Sequence, residues 1–196
     1  MKNKEVRYFD IRNMADDKEN RTVEGYAILF NTLSVDLGGF REKILPSAIE
    51  DIKNNDILFL LNHNVERGVL ARYRYGEGSL NLEVDEIGVK FSFEAPHTSL
   101  GDELLEGLRR KDITQCSFAF LLPNDKSGEV WEKMEDGTYI RTITKFKGLY
   151  DCSAVYTPAY AETTICQTRM KELRAEEKNN IIIDIYNKEL EDLFNE

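Results

Sequence analysis

The side chains with catalytic potential in this sequence are a histidine, a serine and an aspartate that lie far apart in the chain. His63 follows the apolar run ILFLL and one asparagine, Ser117 lies within QCSFAF, and Asp151 lies within LYDCSAVY. A serine hydroxyl becomes a good nucleophile when a neutral imidazole takes its proton, and a carboxylate can hold that imidazole in the required tautomer. Spacing alone does not distinguish a catalytic triad from an unrelated exposed histidine, strand serine and surface aspartate. No GxSxG motif surrounds the serine to favour the triad.

The pattern around Ser117 predicts a strand with one aromatic face. Cys116, Phe118 and Phe120 alternate with Ser117 and Ala119, and alternate residues of a strand point to opposite faces. We expect the aromatic face to lie in the core, which leaves room for a substrate on the serine face.

The cysteines and histidines offer little support for other chemistry. Cys116 is an alternative nucleophile, but its place on the aromatic face favours a buried, inert thiol, and Cys152 is interpreted in the same way. Three cysteines without a CxxC pair fit a reducing compartment better than a disulfide framework. His63 and His97 have no ligand-spaced partners, so we predict neither a metal site nor a cofactor.

The composition excludes two classes of partner. The chain has 196 residues and a net charge of −10, and an acidic protein repels phosphate backbones, so we expect no nucleic-acid binding. No apolar run approaches the roughly 20 residues that a membrane-spanning helix needs. The segment MKNKEVRYFDIRN is charged and lacks the apolar region of a secretory signal.

Apolar periodicity predicts mainly strands around the candidate residues. Strands are expected at 6–11, 22–31 with a bulge at Gly25, 56–61, 70–75, 80–85, 89–95, 117–122, 139–145 and 149–156. Helices are expected at 46–53 and at 98–111, the second with Thr98 or Ser99 as its N-cap, and 124–136 is expected to be a loop or hairpin. We therefore predict an α+β fold, mainly a β-barrel with surrounding helices.

The chain changes character near residue 170. KELRAEEKNN is charged and polar, and NIIIDIYNKELEDLF has apolar residues at helical spacing. We predict a globular domain over residues 1–169 and, over residues 170–196, a charged linker with an amphipathic C-terminal helical tail. The tail could dock on the domain or bind a partner, and the stretch EKNNI is a candidate for self-cleavage.

Seven segments, in their order and spacing, resemble the tailed-phage prohead protease family, the phage counterpart of the herpesvirus assemblins. They are EGYAILFNT (24–32), FREKILPSAI (40–49), FLLNHN (59–64), GVLAR (68–72), LEVDEIGVKFSFEAPHT (82–98), CSFAFLL (116–122) and LYDCSAVYTPAYAETTI (149–165). The resemblance covers residues 6 to 169 and implies a herpesvirus-protease-like fold. It also implies a serine endopeptidase that cleaves the major capsid protein, scaffold segments and itself inside the immature phage head, in the host cytoplasm.

The resemblance also implies roles for individual residues. It gives His63 as the general base, Ser117 as the nucleophile and Asp151 as the third member of a triad. The family that this chain resembles often has glutamate at this last place, so the shorter aspartate must lie closer to the imidazole. His97 is the rival third member, because assemblins use a second histidine, and a loop histidine preceding the helix is its other interpretation.

Several alternatives stay open at this point. The portal and a second copy of the chain are further partners compatible with the resemblance. Arg109 and Arg110 could stabilise an oxyanion through a held water, or be solvated charges near a helix C-terminus. The alternative function is a non-catalytic capsid assembly scaffold that keeps the protease fold, while a non-protease hydrolase has no supporting motif. The presence of both His63 and Ser117 favours the protease.

Overall fold

A computed structural model of the chain describes residues 5–10, 20–156, 172, 174–180 and 183. The chain divides into two compact units, Met1–Ala161 and Glu162–Glu196. In the second unit residues 174–180 are helical, and most of the predicted amphipathic segment 181–194 lies outside the described residues. Over the described ranges, no helix is long and apolar enough to cross a bilayer.

The first unit is built mainly from strands. In chain order the strands are β1 (Glu5–Asp10), β2 (Thr22–Leu29), β3 (Phe40–Ile44), β4 (Asp56–Leu61), β5 (Ala71–Arg74), β6 (Glu77–Gly78), β7 (Asn81–Val84), β8 (Gly88–Glu94), β9 (Gln115–Leu121), β10 (Glu129–Lys133), β11 (Tyr139–Ile143) and β12 (Gly148–Val155). Helix α1 spans Ser99–Arg110, and short 3-10 helices span Pro46–Ile49, Ile52–Asn54 and Val65–Arg67.

The described strands form three open sheets. The largest has the order β1-β9-β12-β4-β5-β6, and the two smaller sheets have the orders β10-β11-β3 and β2-β8-β7. Within the part of the chain that the structure describes, β1 pairs only with β9 and β6 only with β5, so the edges of the largest sheet do not join. The mixed α+β class is therefore confirmed, whereas three open sheets replace the closed barrel that the sequence predicted.

The aromatic face of β9 lies in the core, as its alternation predicted. Phe118 and Phe120 are fully buried, and the Phe120 ring lies 4.5 Å from the ring of Phe146. A second aromatic group joins β4 to β8, where the Phe59 ring lies 4.6 Å from that of Phe93. Because neighbours in a strand point to opposite faces, this packing turns Ser117 away from the core.

Several local predictions need correction. The bulge in β2 falls between Tyr26 and Ile28, while Gly25 is paired with Phe91 in regular register. The helix expected at 46–53 is two 3-10 turns, since Asp51 at φ −95° and ψ 20° interrupts it. The polar stretch 124–136, expected as a loop or hairpin, does supply the first strand of the β10–β11 hairpin, whereas β3 was not predicted.

Helix α1 follows its prediction closely. The Thr98 hydroxyl caps it by accepting a hydrogen bond from the Gly101 N–H at 3.3 Å. Lys111 ends it in the left-handed conformation with φ of 63°, and its N–H donates to carbonyls of the last turn. The helix buries Leu104 and Leu108 against the core.

Candidate active site

Three neighbouring strands bring the candidate residues together. Strand β12 lies between β9 and β4, so the strand with the aspartate separates the strand with the serine from the strand that leads to the histidine. In this register Asp151 faces Ala119 of β9, and Ser153 faces Ser117 directly. Directly opposed residues share a face of the sheet, so Asp151, Ser153 and Ser117 project from the same face.

A β-bulge at residue 150 sets the direction of Asp151. Leu149 pairs with Phe120 and Asp151 pairs with Ala119, so Tyr150 is the extra residue between them. Without it, Leu149 and Asp151 would share a face because they are two residues apart in a strand. The bulge allows Leu149 to pack in the core while Asp151 points away from it, a common use of bulges beside functional sites.

A tight turn returns His63 over the face that carries Ser117. Asn62 and His63 have φ of 54° and 55°, in the left-handed region that non-glycine residues seldom adopt. The Asn62 N–H donates to the Ala154 carbonyl at 2.9 Å, and the Asn62 side-chain oxygen accepts from the Tyr156 N–H at 3.2 Å. The strained turn is therefore tied through Asn62 to β12 and to the residue that follows it, which holds His63 beside that strand.

The imidazole of His63 joins the serine to the aspartate. The Ser117 Oγ lies 2.7 Å from Nε2, and Nδ1 is hydrogen-bonded to Asp151 Oδ1. An ionised carboxylate only accepts hydrogen bonds, so we assign the ring proton to Nδ1. Nε2 then carries a lone pair directed at the Ser117 hydroxyl, which is the arrangement that general-base catalysis requires.

A fourth polar side chain completes this arrangement. The Ser153 hydroxyl donates to Asp151 Oδ1 at 3.0 Å, and its oxygen lies 3.1 Å from His63 Nδ1. No role for Ser153 was predicted from the sequence. Its spacing of two residues from Asp151 in a predicted strand was the available signal, because that spacing places both side chains on one face.

The site is almost entirely removed from solvent. Ser117 is 0% exposed and Asp151 2% exposed, whereas the His63 side chain retains 25% of its surface. The structure thus buries the Ser117 hydroxyl, whereas the sequence predicted open space beside it.

The other candidate residues lie apart from this cluster. His97 is exposed, and no hydrogen bond joins it to His63 among the described residues. Arg109 pairs with Glu106, and Arg110 pairs with Asp112 at 2.9 Å, both at the exposed end of α1. Their contacts are those of solvated charges near a helix C-terminus.

Cys116 lies on the core face of β9, next to Ser117 in sequence but turned away from it. It is 0% exposed, and burial raises the pKa of its thiol far above the ordinary range. Burial likewise raises the pKa of the Cys152 thiol. Both thiols therefore stay protonated and unreactive at neutral pH. In the described part of the chain, no three His, Cys, Asp or Glu side chains gather as metal ligands would.

Comparison with known proteins gives one family and one fold. Residues 9–179 match the family described as caudovirus prohead serine protease. No curated protein matches the chain. Among solved structures, the fold is similar to that of the bacteriophage T4 capsid assembly protease, gp21, with a TM-score of 0.51 and 11% identity over 79% of this chain and 98% of that chain.

Proposed function

This chain belongs to the caudovirus prohead serine protease family, and from that premise we propose that it is the endopeptidase of phage head maturation with Ser117 as its nucleophile. His63 is the general base in this proposal and Asp151 the third member of the triad. The observation that carries the proposal is that one imidazole is hydrogen-bonded to both side chains, with Nε2 against the Ser117 hydroxyl and Nδ1 against the Asp151 carboxylate.

The proposed reaction follows from the protonation state assigned to His63. The Ser117 Oγ attacks the carbonyl carbon of the scissile peptide bond while its proton passes to His63 Nε2. The imidazolium is stabilised by Asp151 and then donates this proton to the leaving amine as the C–N bond breaks. A water molecule, deprotonated in turn by His63, attacks the acyl-enzyme, and the serine is regenerated with release of a carboxylate.

The proposed substrates are capsid and scaffold proteins of the immature head, and the chain itself. Membership of a prohead protease family and the similarity in fold to the T4 capsid assembly protease support a place inside the prohead. We further propose a herpesvirus-protease-like fold and a protease domain that ends near residue 169. The portal and a second copy of the chain are its proposed additional partners. Cleavage at EKNNI would release the tail.

The test is co-expression of the chain with the major capsid protein of the same genome, read by intact mass spectrometry. Ser117→Ala removes the proposed nucleophile, and Ser127→Ala is the matched control, because Ser127 lies in an exposed turn and its hydroxyl bonds to Asp125. We expect processing with the wild-type chain and the control, and none with Ser117→Ala.

Two other outcomes would contradict the proposal. Processing that persists with Ser117→Ala would exclude Ser117 as the nucleophile and make Cys116 the next residue to replace. Intact chains in every combination, with shells still assembling, would favour the non-catalytic scaffold.

A further inference from the structure

Strand β12 contributes two polar side chains to the site, Asp151 and Ser153. Two residues apart, they point the same way from the strand between the nucleophile strand and the histidine strand. Ser153 is 0% exposed, and a buried hydroxyl without partners is costly. Both of its hydrogen-bonding functions are used, and both are used on the pair that would activate Ser117.

The direction of these hydrogen bonds follows from counting protons. The Ser153 hydroxyl has one hydrogen, which it donates to the Asp151 carboxylate at 3.0 Å. Its oxygen lone pairs therefore face His63 Nδ1 at 3.1 Å, and only a protonated Nδ1 can donate to them. The Nδ1–H is thus shared between Asp151 Oδ1 and Ser153 Oγ.

The two serines of the site have different relations to the imidazole. Ser117 lies against Nε2, the nitrogen that takes a proton during attack, whereas Ser153 lies against Nδ1, the nitrogen that keeps its proton. Ser153 is also in contact with Asp151, and it is held opposite Ser117 by the β9–β12 register. Its position suits a role in orientation and is unsuited to nucleophilic attack.

We infer that Ser153 is a positioning residue for the proteolytic reaction, holding the Asp151 carboxylate and the Nδ1–H tautomer of His63 in line. This inference rests on the proposed function. Two acceptors around one N–H restrict rotation of the imidazole more than one acceptor does. Removal of the hydroxyl frees the carboxylate and the ring to rotate together, so the Nε2 lone pair points at Ser117 Oγ for less of the time.

The kinetic test uses a peptide copied from the capsid cleavage site that the mass measurements identify. We expect Ser153→Ala to lower kcat by about 10-fold or more with KM unchanged, since misalignment by a fraction of an ångström affects attack but not substrate binding. Ser153→Thr keeps the hydroxyl and should recover most of kcat. Ser92→Ala, which removes a half-buried strand serine in β8, is the matched control and should leave both constants unchanged.

A spectroscopic test does not depend on catalysis. In the Ser117→Ala chain, which cannot cleave itself, the His63 Nδ1–H should give a sharp downfield proton signal in nuclear magnetic resonance. The exposed His97 ring exchanges its proton with water and gives none. Adding Ser153→Ala should broaden or shift the signal, because the proton loses one of its two acceptors. This readout holds even if the threonine variant does not fold.

The outcomes separate this inference from the proposed function. An inactive wild-type chain would overturn the protease proposal, while the proton signal would still report on Ser153. An active wild-type chain with equal kcat in Ser153→Ala would overturn the positioning role and leave the protease intact. A change confined to KM, or an unaltered proton signal, would also overturn it.

Discussion

Two buried polar clusters lie on opposite faces of the largest sheet, and they are built differently. On one face, the site cluster of His63, Ser117, Asp151 and Ser153 holds one carboxylate, one imidazole and two hydroxyls. On the other face, Glu5 and Arg7 of β1 pair opposite Phe120 and Phe118 and thus point toward the core.

The second cluster, here named the ionic cluster, consists of Glu5, Arg7, Glu42, Glu129 and Arg141. Arg7 binds Glu42 through two nitrogens at 2.6 and 2.8 Å, and Arg141 reaches Glu42 at 2.8 Å and Glu129 at 2.6 Å. The Arg141 side chain is 2% exposed, and it also binds Glu5. The cluster thereby joins β1 to the sheet formed by β3, β10 and β11.

The difference shows that polar burial alone does not mark a catalytic site. The guanidinium groups of the ionic cluster stay charged at any physiological pH, its carboxylates are paired with them, and none of its five members is a hydroxyl or thiol nucleophile. The site cluster contains an imidazole, which can both accept and donate a proton, and places a hydroxyl against it. In the site cluster the backbone of His63 also adopts the left-handed conformation, which no member of the ionic cluster does. We therefore expect substitutions in the site cluster to affect mainly activity and substitutions in the ionic cluster to affect mainly stability.

After the complete loss expected for Ser117→Ala, the largest expected effect is the loss of activity in Asp151→Asn. This change keeps the size of the side chain but lets the amide donate a hydrogen bond to Nδ1, which favours the wrong imidazole tautomer. We expect kcat to fall by about 10⁴-fold, with the urea unfolding midpoint nearly unchanged. The kinetics use the capsid-site peptide, with Asp125→Asn, in an exposed turn, as the control.

Activity within a few-fold of wild type in Asp151→Asn would contradict this assignment. His97 would then be the residue to replace. Under the present proposal His97→Asn should leave kcat unchanged, because His97 is exposed and the described structure shows no hydrogen bond from it to His63.

The next effect is on stability, in Arg141→Met. The change removes the guanidinium that binds Glu5, Glu42 and Glu129, so buried carboxylates lose their compensating charge. We expect a loss of about 3–5 kcal/mol in the free energy of unfolding, measured by urea denaturation in the Ser117→Ala background. Arg72→Met removes an exposed partner of Asp56 and should cost much less.

The cause of the loss in Arg141→Met can be checked with compensating changes. If unpaired charge is responsible, Glu5→Gln and Glu129→Gln added to Arg141→Met should recover part of the stability, because Arg7 keeps Glu42 as its partner. A midpoint equal to that of wild type in Arg141→Met would show that the ionic cluster contributes nothing net.

A smaller effect concerns the two faces of β9 itself. Cys116 is next to Ser117 but lies in the core, where burial raises the pKa of its thiol. We expect Cys116→Ala to keep full proteolytic activity and to lose about 1 kcal/mol of stability from the missing sulfur contacts. Iodoacetamide should not modify Cys116 in the native chain, as judged by peptide mass spectrometry. Rapid modification, or inactivation by Cys116→Ala, would contradict the assignment of the faces.

The faces of β9 were predictable from the sequence because the alternation of QCSFAF is undisturbed. The family was also predictable, from the order of seven segments, and the family match confirms it. The bulge at Tyr150 was not predictable, since an extra residue in one strand is defined only by the register of its neighbour.

The ionic cluster escaped prediction for a related reason. Glu5, Glu42 and Arg141 are far apart in the chain, and each alone is typical of a solvated surface charge. Their pairing depends on how β1 and β3 lie against β11, which local sequence does not encode. The role of Ser153 was hidden similarly, because its contact with His63 joins residues 90 positions apart.

The smallest expected effect is on stability and concerns an exposed group of polar contacts around Glu103. Glu103 of α1 accepts hydrogen bonds from Arg67, which follows the His63 turn, and from the Tyr156 hydroxyl at 2.8 Å. The hydrogen bond from Arg67, and then that from Tyr156, hold the pKa of Glu103 below its ordinary value of 4.5. A folded-state pKa below the unfolded one means that the ionised group stabilises the fold at neutral pH, and that this contribution is lost as the pH falls through the folded pKa.

We therefore expect Glu103→Gln to lower the urea midpoint slightly at neutral pH, with the difference from wild type shrinking as the solution is acidified. In an Arg67→Met background the difference should be smaller at every pH, because Arg67 is the main cause of the lowered pKa. A difference in urea midpoint between Glu103→Gln and wild type that grows on acidification would contradict a lowered pKa of Glu103. We expect the activity of Glu103→Gln to stay within about two-fold of wild type, because Glu103 does not contact the site cluster in the described structure. A loss of kcat comparable to that of Ser153→Ala would contradict this and would show that the Glu103 contacts support catalysis.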